Sequence, residues 1–257
     1  MKISITKNRN LLKRIFKGLL VAAFWIGLWQ AAYLVVGQEV LVVSPFAVVK
    51  RIVTLGGTFE FWVNTAVSIV RVLAGFGLGT LLGVFLAVFA CAFPFIRDFI
   101  KPFVAIINST PVASFILLAL VWLKTDTIPM FATFLVVVPI VFSNISEGIF
   151  KTDRKLLEMA KVYKFGTLKT VRLIYIPSVL PYFVSAFTAS LGMAWKAGVA
   201  AEVLSIPKYS IGSRLRDAKI YLETEDLFAW TFVVIILSIL LERILSGLIK
   251  KVGDKGS

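Results

Sequence analysis

The chain has 257 residues, of which 59% are apolar and 16% charged, and its mean hydropathy is +0.91. Soluble domains average about 45–50% apolar and about 25% charged residues, and none of ordinary kind has interior enough at this length to hide so much apolar surface. Composition excludes a disordered chain, a nucleic-acid-binding domain and a secreted disulfide scaffold, and leaves an integral membrane protein.

Lys and Arg number 28 against 14 Asp and Glu, a formal charge of +14. The basic residues lie mostly in short segments between apolar runs, where they set topology and do not signal a nucleic-acid partner. Cys91 is the one cysteine and there is no histidine. Neither an intramolecular disulfide nor a zinc or haem site is therefore expected.

Residues 1–17 form a basic tail. A helix needs about 20 apolar residues to cross the hydrocarbon core, and six stretches qualify: 18–36, 72–93, 102–123, 128–150, 174–201 and 227–249. Their residues do not alternate as barrel strands do, so the expected fold is an all-α membrane protein of six transmembrane helices in one domain. The first stretch is too long for a signal-peptide core and reads as an uncleaved span. After it, Ser44-Pro45 opens an apolar and basic segment suited to an outer interfacial helix.

In the second stretch Gly75, Gly79, Gly83 and Ala87 recur every four residues, a groove that lets another helix approach closely. That helix belongs either to the same subunit or to a second copy or moving gate. The third stretch contains Pro111, with Asn108, Ser109 and Thr110 placed to satisfy the carbonyls it frees. A kink there serves gating or simply shapes the bundle, and Pro139 in the fourth poses the same choice. Along the fifth, Ala186, Ser190, Ala194 and Gly198 form a ridge that ends at Glu202. It lines a pathway or it packs. Lys196 on this span reaches the outer boundary, where it can snorkel.

With the N-terminus inside, eighteen Lys and Arg residues fall on the inner side and seven on the outer. This bias places both termini, including the tail 250–257, in the cytoplasm. The inner segment 151–173 holds seven of the eighteen. It begins as a short amphipathic helix that Thr152 or Asp153 can cap, with Leu156, Ala160 and Tyr163 on one face. Phe165-Gly166 reads as a stop and Thr167 as a second cap, and Pro177 and Pro181 bend the chain back into the membrane. Such a helix is either a docking surface for a cytoplasmic partner or an ordinary solvated loop.

The same stretch resembles the cytoplasmic signature of permease subunits of binding-protein-dependent ABC importers, E-A-A-x3-G-x9-I-x-L-P. Glu158, Ala160, Ile174 and Pro177 match in register, Met159 and Ile176 are replacements, and Lys164 stands where the family has Gly, with Gly166 two residues on. Ser44-Pro45, Arg71 with Gly75-Phe76, Pro111-Val112, Pro139 with Asn144, and Ala194-Trp195-Lys196 with Ala201-Glu202 extend the likeness to the nitrate/sulfonate/taurine/bicarbonate-type branch. The resemblance implies the importer-permease (MetI-like) architecture with a cytoplasmic coupling helix, whose ATPase contacts are Glu158, Ala160, Lys164 and Gly166. It implies an ABC ATP-binding subunit in two copies, an extracytoplasmic solute-binding protein, and a second permease copy in the lipid bilayer. The solute would be a small anion or a vitamin precursor. ATP would be hydrolysed by the partner, with no cofactor on this chain, which has no G-x4-G-K-[ST] loop and no nucleophile–base or carboxylate pair. The rival classes are a self-sufficient secondary transporter or channel, which should show internal repeats and coupling ions' ligands, and a membrane-embedded enzyme. Pathway candidates are Asn108, Pro111, Ser190, Lys196 and Glu202.

Overall fold

The computed structural model describes residues 3–254, and every regular element among them is helical. Met1, Lys2 and the last three residues of the C-terminal tail lie outside the described part. Five helical stretches are long and apolar enough to cross a membrane: Phe16–Val36, Phe59–Ala92, Ile128–Phe150, Thr167–Ser205 and Thr224–Gly247. The one domain expected from the sequence is built as two compact units, residues up to 58 with 215–233, and residues 59–214 with those from 234 on.

The first unit holds α1 (Ile3–Val36), which takes up most of the expected basic tail, and α2 (Pro45–Gly56). Ser44 Oγ accepts from the Ala47 N–H at 3.2 Å, and Pro45 follows at a position where a missing N–H costs nothing. Of α2 only Val48 is buried, while Phe46, Val49 and Val53 stay exposed beside Lys50 and Arg51, as an interfacial helix requires. Trp29 stacks on Phe228 and Phe232, and the Arg51 guanidinium grips Asp226 with two hydrogen bonds.

The second unit is built on α3 (Phe59–Ala92), α6 (Ile128–Phe150) and α9 (Ile176–Ser205), with α6 packed along both of the others. The glycine groove of α3 faces α6 of the same chain. A Cβ added at Gly75 would lie 2.3 Å from the Met130 carbonyl oxygen, and one at Gly79 or Gly83 would lie 2.8 Å from Val137 or Val141 Cβ. The ridge of α9 is packed as well. Ala186, Ser190, Ala194 and Glu202 are fully buried, and a Cβ at Gly198 would lie 2.5 Å from Val72 Cγ2.

One expectation needs correction. The stretch 102–123 is not one straight span but two helices, α4 (Pro94–Ser109) and α5 (Val112–Trp122), which meet at 103°. Pro111 forces its predecessor Thr110 into extended backbone (φ −96°, ψ 130°), so the helix must stop. Thr110 and Ser109 hydroxyls both donate to the Ile106 carbonyl, at 2.8 and 3.1 Å, which already accepts from the Thr110 N–H, and not to the Ile107 carbonyl that Pro111 leaves without its helical donor. At Pro177 and Pro181 the chain returns as continuous helix. Residues Val171–Tyr175 form a π-helical turn in which Ile176 N–H donates to the Val171 carbonyl. This wider turn makes room for the Pro177 ring, and helix continues from Thr167 to Ser205.

Gly79→Leu should destabilise the chain by about 1–3 kcal/mol through overpacking against Val137. Gly77, where a Cβ meets nothing within 4 Å, should accept Ala without loss. Thermal unfolding of the detergent-solubilised variants checks both, and equal midpoints for Gly79→Leu and the parent would disprove the close contact.

Candidate functional site

The segment between α6 and α9 begins at Lys151, whose ammonium lies 2.6 Å from Glu147; that carboxylate, hydrogen-bonded to it, holds the group above its ordinary pKa. Asp153 then caps α7 (Arg154–Val162), its carboxylate accepting from Lys155 N–H at 2.8 Å. Thr152 is not the cap. Its hydroxyl is turned back to the Gly148 carbonyl at 3.2 Å.

On α7 only Ala160 is buried. Met159, Val162 and Tyr163 stand exposed, and so do Glu158 and Leu168 beside them. The expected apolar face of Leu156, Ala160 and Tyr163 is thus split, because Ala160 alone turns inward. The result is an uncovered apolar surface three and four residues apart on a polar helix, with one carboxylate at its edge.

The turn that ends α7 is made by Lys164, in the left-handed region at φ 51°. Phe165 N–H reaches back to the Ala160 carbonyl at 2.8 Å, and Lys169 Nζ lies 4.0 Å from the Phe165 ring centroid. Gly166 has φ −67°, a conformation open to any residue, and serves as N-cap of α8 (Thr167–Thr170). The left-handed turn therefore falls on the lysine, not on the nearby glycine, and Thr167 is the first helical residue, not the cap.

A second cluster lies at the other end of α9. Glu202 Oε2 accepts from Ser68 Oγ at 2.8 Å and from Gly212 N–H at 3.1 Å. Ser68 Oγ in turn accepts from Ile211 N–H at 2.9 Å. The carboxylate thus sits on the positive first turn of α10 (Ile211–Ile220). Its Oε1 faces the Arg71 guanidinium at 3.8 Å. Arg71 also donates to Asp126 (2.6 Å) and to the carbonyls of Lys208 (2.9 Å) and Tyr209 (3.0 Å). A Cβ at Gly212 would lie 2.3 Å from Glu202 Cβ, so only glycine admits this approach.

Of the pathway candidates, Ser190 and Glu202 are closed inside the packed chain, because the small residues around them seat α9 on its neighbours. Asn108 and Pro111 are exposed at the bend between α4 and α5. Lys196 is exposed on the opposite face of α9, in a groove of about 600 Å³ shared with Ser185, Thr188, Gly192 and, from α11 (Thr224–Asp254), Glu242. Sequence reasoning missed Ser68, Asp126 and Gly212; Arg71 and Glu202 were visible only as separate points of likeness.

Residues 79–254 match the family model described as binding-protein-dependent transport system inner membrane component. The chain belongs to this family. It is 26% identical over 231 residues to a probable ABC transporter permease protein of Brucella melitensis, covering 90% of this chain and 94% of that one. With a putative aliphatic sulfonates transport permease protein of Escherichia coli it shares 28% identity over 225 residues, covering 87% and 82%. The crystal structure of an amino acid ABC transporter with histidines superposes with a TM-score of 0.58 at 17% identity, over 73% of this chain and 90% of that one, a likeness of fold. The chain is the membrane-spanning permease of an ABC importer, and an ATPase and a solute-binding protein are the partners this membership implies.

In this permease the lysine at the family's glycine position carries a conformational cost, about 1–2 kcal/mol for an L-residue in the left-handed region. Lys164→Gly should therefore raise the thermal midpoint or leave it unchanged, and Lys164→Val should lower it. A drop for Lys164→Gly would mean that the lysine side chain, not the turn, holds the segment.

Proposed function

We propose that two copies of this permease form the solute path and that α7 of each is the helix through which an ATPase subunit drives alternating access. The observation that supports it is the uncovered apolar face of α7, Met159, Val162 and Tyr163, beside Glu158. A short helix that leaves these side chains in water is explained when a partner's cleft covers them. ATP is bound and hydrolysed by that partner. α7 connects directly to α6 on one side and, through α8 and the π turn, to α9 on the other. Movement of α7 therefore pulls on two of the three central helices.

The half-polar groove beside Lys196 suits the wall of a water-filled path, since hydroxyls and charges facing hydrocarbon are costly. A small anion is the solute class favoured by the sulfonate permease among the relatives. Discrimination among such anions belongs chiefly to the solute-binding protein.

Glu158→Arg reverses the charge at the proposed ATPase contact without touching a span. The variant should fold and insert normally, bind the ATPase more weakly and lose transport. Normal uptake would reduce the segment to a connector.

The same reading places both termini in the cytoplasm. With Cys91 replaced, single cysteines at Lys161 and Lys208 should react with an impermeant maleimide from opposite faces of the membrane. Labelling of both from outside would refute the orientation.

A further inference from the structure

At the end of the bundle that carries the α6–α9 segment, the three central helices part and leave a groove of about 530 Å³. Val88 and Cys91 of α3, Ile149 of α6, and Tyr175 and Leu180 of the π turn and α9 represent its walls. Cys91 and Tyr175 carry the only side-chain heteroatoms in the lining. Such a surface offers nothing to a small anion and suits hydrocarbon.

A cation lies near one wall of this groove. Arg97, in the first turn of α4, lies with its guanidinium carbon 5.6 Å from the ring centroid of Phe150, the residue after Ile149. Its Nε is shielded from solvent and donates no hydrogen bond among the described residues, and the Asp98 carboxylate beside it is 3.8 Å away and mostly exposed. Arg172 lies within the π turn, between the lining residues Val171 and Tyr175.

An apolar groove beside an underused cation, at the end of the bundle bearing Lys151, Arg154 and Lys155, is complementary to an anionic amphiphile. A second copy of the chain is a poor cover, because it would bring like charges together over Arg97. We infer that the groove binds one acyl chain of an anionic phospholipid whose phosphate is held by Arg97. The π turn that accommodates Pro177 supplies part of the wall, so the lipid bears on the segment joining α8 to α9.

The test uses the full chain in nanodiscs of phosphatidylglycerol or of phosphatidylcholine. N-ethylmaleimide should label Cys91 at least three-fold more slowly in phosphatidylglycerol, and Arg97→Gln should remove that difference. Native mass spectrometry should find phosphatidylglycerol retained by the parent and lost from Arg97→Gln. It should also be lost from Val88→Trp, which fills the groove with Arg97 intact and serves if Arg97→Gln does not fold. Equal labelling rates in the two lipids would overturn the inference. So would a Cys91–Cys91 cross-link between copies, which would make the groove a permease–permease contact.

Discussion

The second unit depends on how closely α3 and α6 approach. Between helices in lipid there is little hydrophobic drive, and cohesion comes from dispersion across well-fitted surfaces. Gly75, Gly79 and Gly83 remove every Cβ from the contact line, so that α6 carbonyls and β-branched side chains fill the space. The approach has no slack: each added Cβ would lie within 3.0 Å of an α6 atom. On its other side α6 meets α9 under the same rule, with Gly148 beneath Tyr182 and Gly198 against Thr133. These three helices therefore shift as a block or repack, and the segments at their two ends are carried with them.

At the Glu202 end, the block holds a loop by electrostatics instead of packing. Ile206 and Tyr209 both take left-handed backbone, at φ 52° and 53°, a strained choice for a β-branched residue above all. Strain of this kind persists only where neighbours fix the path. Arg71 does so by gathering the Lys208 and Tyr209 carbonyls, and Glu202 does so by accepting from the Gly212 N–H of α10, beside Ser68, which takes that of Ile211. One carboxylate oxygen, Oε2, takes a hydroxyl and a backbone N–H, while Oε1 is buried without a hydrogen bond among the described residues and faces, at 3.8 Å, a guanidinium shared with Asp126. At Oε2 hydrogen bonds replace the water lost on burial, and at Oε1 only the charge of Arg71 offsets that loss.

Which of these features could be read from the sequence follows from their range along the chain. Five of the six apolar stretches, the cap at Asp153 and the four-residue glycine spacing are local patterns that reappear as helices, a cap and a packing groove. The π turn was hidden because a proline announces only that a hydrogen bond is lost, not whether the helix breaks or widens. The bend at Pro111 was foreseen as a kink, but its 103° comes from Thr110 leaving helical backbone altogether. Glu202 was seen at the end of a small-residue ridge and offered as a pathway residue. Its partners Ser68 and Gly212 lie 134 and 10 residues away, and neither has a motif that would connect it to an acid.

The segment proposed for coupling shows why a strained residue can be retained. To transmit a push, α7 must keep a fixed angle to α9, and the turn between them must neither unwind nor swivel. A glycine at position 164 would enter the left-handed region freely but would also leave it freely. Lysine enters at a cost and is then held by its surroundings: Phe165 N–H returns to Ala160, whose side chain is buried, and Lys169 covers the Phe165 ring. Conformational freedom removed from the turn is motion that cannot be lost between α7 and α9. If the segment couples as proposed, the lysine trades a small amount of stability for a stiffer link between α7 and α9.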